Sequence, residues 1–112
     1  MNYALLIYGD EKVGEGLDSD ERRETYARYE AFSAMLVERG VMRGGSELAP
    51  SSSATTIRHD GDQVSVTDGP FAETAEVFGG FYLVEADDLD AAIDLAKQLP
   101  SAVVEIRPTM TM

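Results

Sequence analysis

The strongest chemical signal in this chain centres on one aspartate, Asp68, within the stretch VTDGPFAE. It closes a strand-like run and precedes Gly69 and Pro70. A carboxylate that points into a pocket can act as a general base or orient a substrate hydroxyl. An aspartate before Gly-Pro is also typical of an Asx-turn, in which the side chain bonds the backbone two residues further on. Two interpretations of Asp68, a catalytic base and a turn residue, therefore stay open, and both can hold.

Six further residues have side chains that suit a small-molecule site. Such sites are mainly apolar and hold a few polar groups that orient the ligand. Tyrosine combines an apolar ring with a hydroxyl that needs a partner when it is buried. We therefore predict ligand-binding roles for Tyr8, Tyr29, Ser46, Phe71, Glu73 and Tyr82. The alternatives are an aromatic core for the tyrosines, a core or dimer-interface plug for Phe71, and a solvated charge for Glu73.

The residue types give little support to metal or cofactor chemistry. The chain has no cysteine, which excludes disulfides, thiolate catalysis and zinc–thiolate sites. Its single histidine, His59, lies beside a predicted turn with Asp62 opposite, which favours a surface cross-strand pair. The two Gly-Gly pairs do not open helices, so they are not a nucleotide-binding fingerprint. We expect neither a metal nor an organic cofactor.

Acidic residues dominate the charge of the chain, with 21 acidic against 9 basic residues and a formal net charge of −12. Nucleic acids and anionic membranes are bound by clusters of Lys and Arg, which this sequence lacks. We predict no nucleic-acid and no membrane partner, and an acidic surface that is solvated or docks a basic partner. The first residues lack a basic signal-peptide region. No apolar run approaches the roughly 20 residues of a membrane span, so we expect a cytoplasmic location.

Apolar patterning predicts a first βαβ unit. The run YALLIY indicates a short central strand, and a helix is predicted from Asp18 to Arg39. Asp18 and Glu21 have the spacing of a capping box, and Gly40 suits the left-handed position after a helix. The stripe of this helix that should face the sheet comprises Tyr26, Tyr29, Phe32, Ser33, Leu36 and Val37.

A second unit repeats this order after an interrupted strand. That strand, Val41 to Leu48, contains Gly44-Gly45, a pair typical of a bulge. Further on, GGFYLVEADD predicts a strand and AVVEIRP the last one. Between them lies a helix capped by Asp87 or Asp88 and ended by Pro100. Its predicted apolar stripe is Leu89, Ala92, Ile93 and Ala96.

A β-hairpin is predicted between the two units. The runs TTIRH and DQVSVT flank Asp60-Gly61, a signal for a two-residue type I′ turn. That turn would pair His59 with Asp62, Ile57 with Val64 and Thr55 with Val66. We expect the face that carries Thr55, Ile57, Val64 and Val66 to be buried. Asp68 continues this face and should point inward.

The order β-α-β, hairpin, β-α-β predicts an α+β fold of the ferredoxin-like, split βαβ type with an inserted hairpin. A chain of 112 residues suits one domain over residues 1–112. The helices would cover one face of the sheet and leave apolar side chains on the other. An exposed apolar face of that size predicts a partner, most simply a homodimer.

Several segments resemble the YCII-related proteins, in the branch known for its DGPF motif. These segments are YALLIYGDE, GGSELAPSSSATTIR, VTDGPFAETAE and GGFYLVEADDLDAA. The resemblance implies a homodimeric α+β barrel in which two sheets close face to face. It also implies a His–Asp pair in some relatives, but the matching helix position falls near Tyr29, and this helix has no histidine. DGPF proteins are further associated with extracytoplasmic-function sigma factors.

Three functions follow from these observations. The first is a small-molecule-binding domain without an evident His–Asp pair. The second is a cofactor-independent enzyme, an isomerase, lyase or dehydrochlorinase, with Asp68 as base on a small aromatic or hydroxylated compound. The third is a regulatory module for a sigma factor, which rests on the resemblance.

Overall fold

The structure is a computed structural model that describes residues 1–11 and 19–110. Its strands and longer helices within these residues are β1 (Asn2–Gly9), α1 (Ser19–Glu38), β2 (Met42–Glu47), β3 (Thr55–Asp60), β4 (Gln63–Asp68), β5 (Val77–Glu85), α2 (Leu89–Ala96) and β6 (Val103–Pro108). A short 3-10 helix, Ser51–Ser53, precedes β3.

Four strands form one antiparallel sheet in the order β2-β5-β1-β6. The strand order and the two helices confirm the predicted ferredoxin-like α+β fold. The first strand is central: Leu5 pairs with Tyr82 of β5 on one side and with Ile106 of β6 on the other. The hairpin β3–β4 forms a separate two-stranded sheet, inserted between β2 and β5.

The hydrophobic core lies on one face of the four-stranded sheet. Because successive strand residues point to opposite faces, Tyr3 and Leu5 face the helices while Ala4 and Leu6 face away. Leu5, Leu36 and Val84 are fully buried. The remaining buried residues come from the sheet, both helices and the segment after α2, and are Tyr3, Phe32, Ala86, Ala92, Leu95, Ala96 and Leu99.

Helix α1 buries a narrower stripe than predicted. Phe32 and Leu36 are buried, whereas Tyr26 is 53% and Val37 64% exposed. The predicted arc was too wide, because Val37 lies 100° around the helix from Leu36 and turns to solvent. Asp18, the predicted cap of this helix, lies outside the described residues.

The end of α1 follows its prediction. Gly40 has φ +71°, a conformation that glycine adopts without steric cost. Its N–H donates to Val37 O, and the Val41 N–H donates to Leu36 O. These two bonds form a Schellman motif, which stops the helix and directs the chain into β2.

Helix α2 begins at the predicted cap. The Asp88 carboxylate accepts a hydrogen bond from the Ala91 N–H at 2.9 Å. The predicted stripe is partly wrong, because Leu89 is 50% exposed while Leu95 is buried. Leu89 is the first residue of the helix, and the buried face begins one turn later, at Ala92.

The hairpin register differs from the prediction. Asp60 pairs with Gln63, His59 with Val64, Ile57 with Val66 and Thr55 with Asp68. The loop is therefore Gly61-Asp62. A type I′ turn needs positive φ at both loop positions, but only Gly61, at φ +60°, has it.

The apolar face of the hairpin is exposed, contrary to the prediction that it is buried. Ile57, Val64 and Val66 are 59%, 58% and 67% exposed. The described chain is only 18 Å across in its shortest direction, which corresponds to one helix layer on one sheet. Among residues 1–11 and 19–110, no layer buries this face of the hairpin.

In residues 1–11 and 19–110, no helix is both long enough and apolar enough to cross a membrane.

The burial difference between two neighbours on α1 gives a stability prediction. Leu36→Ala should lower the free energy of unfolding by about 2–5 kcal/mol, because it leaves a cavity in the core. Val37→Ala, the matched control on the exposed side, should change it by less than about 0.5 kcal/mol. Urea unfolding monitored by circular dichroism measures both. Equal losses for the two variants would contradict the placement of the α1 stripe.

Candidate functional site

A cleft of about 370 Å³ lies between α1 and the edge strand β2. Its walls come from the helix, from β2 and from the neighbouring strand β5. The lining residues are Ser33, Met42, Gly44, Gly45, Ser46, Glu47 and Tyr82. The cleft thus combines one thioether and one aromatic ring with hydroxyls and a carboxylate, a mixture that suits a small polar ligand.

The glycine pair shapes one wall of the cleft. Gly44 and Gly45 have φ of +149° and +155°, and the pairing of β2 with β5 shifts register between Met42 and Gly44, as the predicted bulge requires. A Cβ on Gly45 would lie 2.7 Å from the Phe81 carbonyl oxygen. Only a residue without a side chain fits there, so this wall is bare backbone that a ligand can approach closely.

Tyr82 supplies the most firmly held hydroxyl of the cleft. Its ring meets Phe32 edge-on, with centroids 5.1 Å apart. Its hydroxyl lies 3.0 Å from Ser33 Oγ, and either oxygen can be the donor. Each hydroxyl has one O–H and two acceptor lone pairs. The pair uses one O–H, so it keeps a second O–H and several lone pairs for a ligand.

Glu47 supplies the charge of the cleft. Its Oε1 accepts a hydrogen bond from the Tyr26 hydroxyl at 3.2 Å. The negative charge of Glu47, together with this hydrogen bond and some burial, raises the pKa of Tyr26, and the nearby Arg22 opposes the rise. The bond holds the carboxylate in one orientation and leaves Oε2 for another donor.

The predicted tyrosines do not share one site. Tyr82 and Ser46 line the cleft. Tyr29 is on the same helix as Ser33, but its hydroxyl is hydrogen-bonded to Ser101 Oγ at 2.6 Å. This bond connects α1 to the segment before β6. Tyr8 lies on the opposite face of the sheet, where it donates to Glu105 at 3.2 Å.

The DGPF turn lies apart from the cleft in the single chain. Asp68 is exposed at the end of β4, and Phe71 is 76% exposed. One backbone bond and one side-chain bond hold the turn: the Gly69 N–H donates to Ala54 O, and the Thr56 hydroxyl donates to Gly69 O, both at 2.7 Å. Glu73 is exposed in the following loop, and the catalytic role of Asp68 stays a prediction.

Five of the seven residues that line the cleft had no predicted site role: Ser33, Met42, Gly44, Gly45 and Glu47. Ser33 was visible as a hydroxyl in the sheet-facing stripe of α1, and this was the available signal. Glu47 and Tyr26 gave none, because their contact joins residues 21 positions apart on elements whose relative placement the sequence pattern does not specify.

Comparison with known proteins agrees with the resemblance. The family model of the YCII-related domain matches residues 1–111. An uncharacterised protein of Rhizobium meliloti (strain 1021) is 37% identical over 113 aligned residues, which cover 96% of this chain and 91% of that protein. The match is to the family as a whole, so the DGPF branch stays a prediction from the motif.

The contact between Glu47 and Tyr26 predicts a shift in acidity. Glu47→Gln removes the negative charge that disfavours the phenolate, so the pKa of Tyr26 should fall towards its ordinary value. NMR titration of ¹³C-labelled tyrosine between neutral and alkaline pH measures this. Glu73→Gln, which removes the same charge elsewhere, is the control. An unchanged Tyr26 titration in Glu47→Gln would show that the two side chains do not interact in solution.

Proposed function

The chain belongs to the YCII-related domain family, and on that premise we propose that residues 1–112 form one domain that binds a small molecule between α1 and β2. The observation that carries this proposal is the hydroxyl pair of Ser33 and Tyr82, 3.0 Å apart, beside the Glu47 carboxylate. The bare backbone at Gly44 and Gly45 supports it, because a ligand can approach peptide groups there.

Binding, rather than catalysis, is the function that these groups favour. The cleft offers donors and acceptors held by neighbouring side chains, which orient a ligand. The enzyme alternative uses Asp68, which lies on the hairpin and lines no wall of this cleft. That alternative and the sigma-factor association rest on the motif and the resemblance. The formal charge of −12 suits a basic partner in the latter case.

A fragment screen by NMR tests the proposed binding. Hits should shift the amide signals of residues 33, 42–47 and 82. Tyr82→Phe should weaken binding about threefold to tenfold, the range expected for one lost hydrogen bond. Tyr8→Phe removes a hydroxyl on the opposite sheet face and is the matched control. Hits that shift only other residues, or that bind Tyr82→Phe as well as the wild type, would refute this site.

We also propose that the domain forms a homodimer through the sheet face that lacks helices. This face carries Leu6, Phe81 and Leu83, which are only partly buried. Its carboxylate Glu105 is paired with Arg107 at 3.1 Å and accepts a bond from Tyr8. The face is therefore nearly neutral in a strongly acidic chain, so two copies can meet there without the repulsion that their other surfaces impose.

The exposed apolar face of the hairpin also supports the dimer. Two-stranded hairpins are marginally stable alone in water, and the apolar face of this one, with Ile57, Val64 and Val66, is exposed in the single chain. A second copy that covers the open sheet face and this hairpin would bury both. A face-to-face dimer of this kind corresponds to the α+β barrel that the family resemblance implies.

Charged substitutions on the open face test the dimer. The wild type should have twice the mass of one chain in light scattering. Leu6→Glu and Val103→Glu should each weaken association roughly 100-fold or more, because they bury an unpaired charge. Val103 is 40% exposed, so its replacement spares the core, and Leu89→Glu on α2 is a control at 50% exposure. A monomeric wild type, or two variants that stay dimeric, would contradict the proposal.

A further inference from the structure

The charge of the cleft narrows the class of ligand. Among the described residues that line it, Glu47 is the only charged one, and none is Lys, Arg or His. The Glu47 carboxylate accepts a bond from a neutral phenol, Tyr26, and forms no ion pair with the described cations. Arg22, near Tyr26, is not part of the lining. A bound anion would meet this carboxylate without a compensating positive charge.

We propose that the cleft takes a small organic cation, an amine on an apolar or aromatic body, and discriminates against carboxylates and phosphates. This inference rests on the proposed binding function and adds the ligand class. An ammonium group donates up to three hydrogen bonds, and a carboxylate accepts only. Hydrogen bonds between two charged groups are roughly twice as strong as neutral ones. The Tyr26 hydroxyl bonds only Oε1 of Glu47, so Oε2 can accept a bond from the ammonium group.

The other walls suit the remainder of the same ligand. The Tyr82 ring and the Met42 thioether offer apolar surface, and the ring also attracts a cation over its face. The hydroxyls of Tyr82 and Ser33 can bond a phenol or alcohol on the ligand. Beyond the cleft, the net charge of −12 raises the local concentration of cations and repels anions. The Glu47 carboxylate and the net charge of the whole chain therefore both favour a positively charged ligand.

Three phenols of similar size separate charge from shape. Tyramine is a cation at pH 7, 4-ethylphenol is neutral and 4-hydroxyphenylacetate is an anion. In NMR titrations at low salt, tyramine should bind about fivefold more tightly than 4-ethylphenol, as expected for one partly exposed charge contact. The acetate should bind most weakly. Added salt at 0.5 M should reduce the preference, since it screens exposed charges.

A charge-neutral variant assigns the preference to one residue. Glu47→Gln should lose most of the preference for tyramine over 4-ethylphenol and keep only the part that comes from the overall charge, and its affinity for 4-ethylphenol should match the wild type. Glu76→Gln removes one negative charge outside the cleft, as Glu47→Gln does inside it, and should keep the fivefold preference. A preference lost in both variants would assign it to the overall charge and overturn the role of Glu47.

The two proposals fail in different ways. If the three phenols bind the cleft equally, or the acetate binds best, the cation inference is overturned and small-molecule binding stands. If tyramine shifts no residue of the cleft, the cation inference is also overturned. The fragment screen with Tyr82→Phe then decides the binding function separately.

Discussion

Both helices lie on the same face of the four-stranded sheet, and the rest of the structure depends on this one-sided packing. Leu5 and Val84 are fully buried against Leu36, while the alternate residues Leu6 and Leu83 of the same strands are only partly buried. The apolar contact under the helices stabilises the sheet, since burying one such side chain contributes about 1.5–3 kcal/mol. In the described part of the chain, the opposite face has no comparable apolar contact.

The cleft arises where this packing ends. Helix α1 crosses the sheet near its β2 edge, so the polar members of its stripe meet the margin of the core. Ser33 reaches Tyr82 there instead of an apolar side chain. The bulge at Gly44 and Gly45 keeps the edge strand close to β5. A polar helix position and two successive glycines in the edge strand together produce a recess at the boundary between core and solvent.

Features that depend on short-range patterns were predictable from the sequence. Gly40 after α1 and Asp88 before α2 have local backbone roles, and the structure contains both. The hairpin shows the limit of such patterns. The Asp60-Gly61 signal was displaced by one residue to Gly61-Asp62, which moved each cross-strand partner by two positions. A shift of two keeps every side chain on its face, so Ile57 and Val66 share the predicted face although they were not predicted to pair.

The candidate site was less predictable because it depends on relations between distant elements. Tyr82 and Ser46 were named from residue type, but Tyr8 is three positions from Leu5 and so faces the other side of the sheet. Glu47 lines the cleft and accepts a hydrogen bond from Tyr26, a contact that no local sequence pattern indicates. The predicted burial of the hairpin assumed a covering layer, which the described residues of a single chain do not supply.

The central position of β1 has a consequence for the order in which the protein folds. This strand is made early, but both of its neighbours lie in the second half of the chain, and its Tyr8 meets Glu105 at a separation of 97 positions. Chains dominated by such non-local pairs fold slowly, because a long loop must close before the contact stabilises it. While the chain is being synthesised, the apolar run of β1 therefore stays without either neighbour until β5 and β6 emerge. The β3–β4 hairpin, closed by two residues, needs no such distant partner to pair its strands.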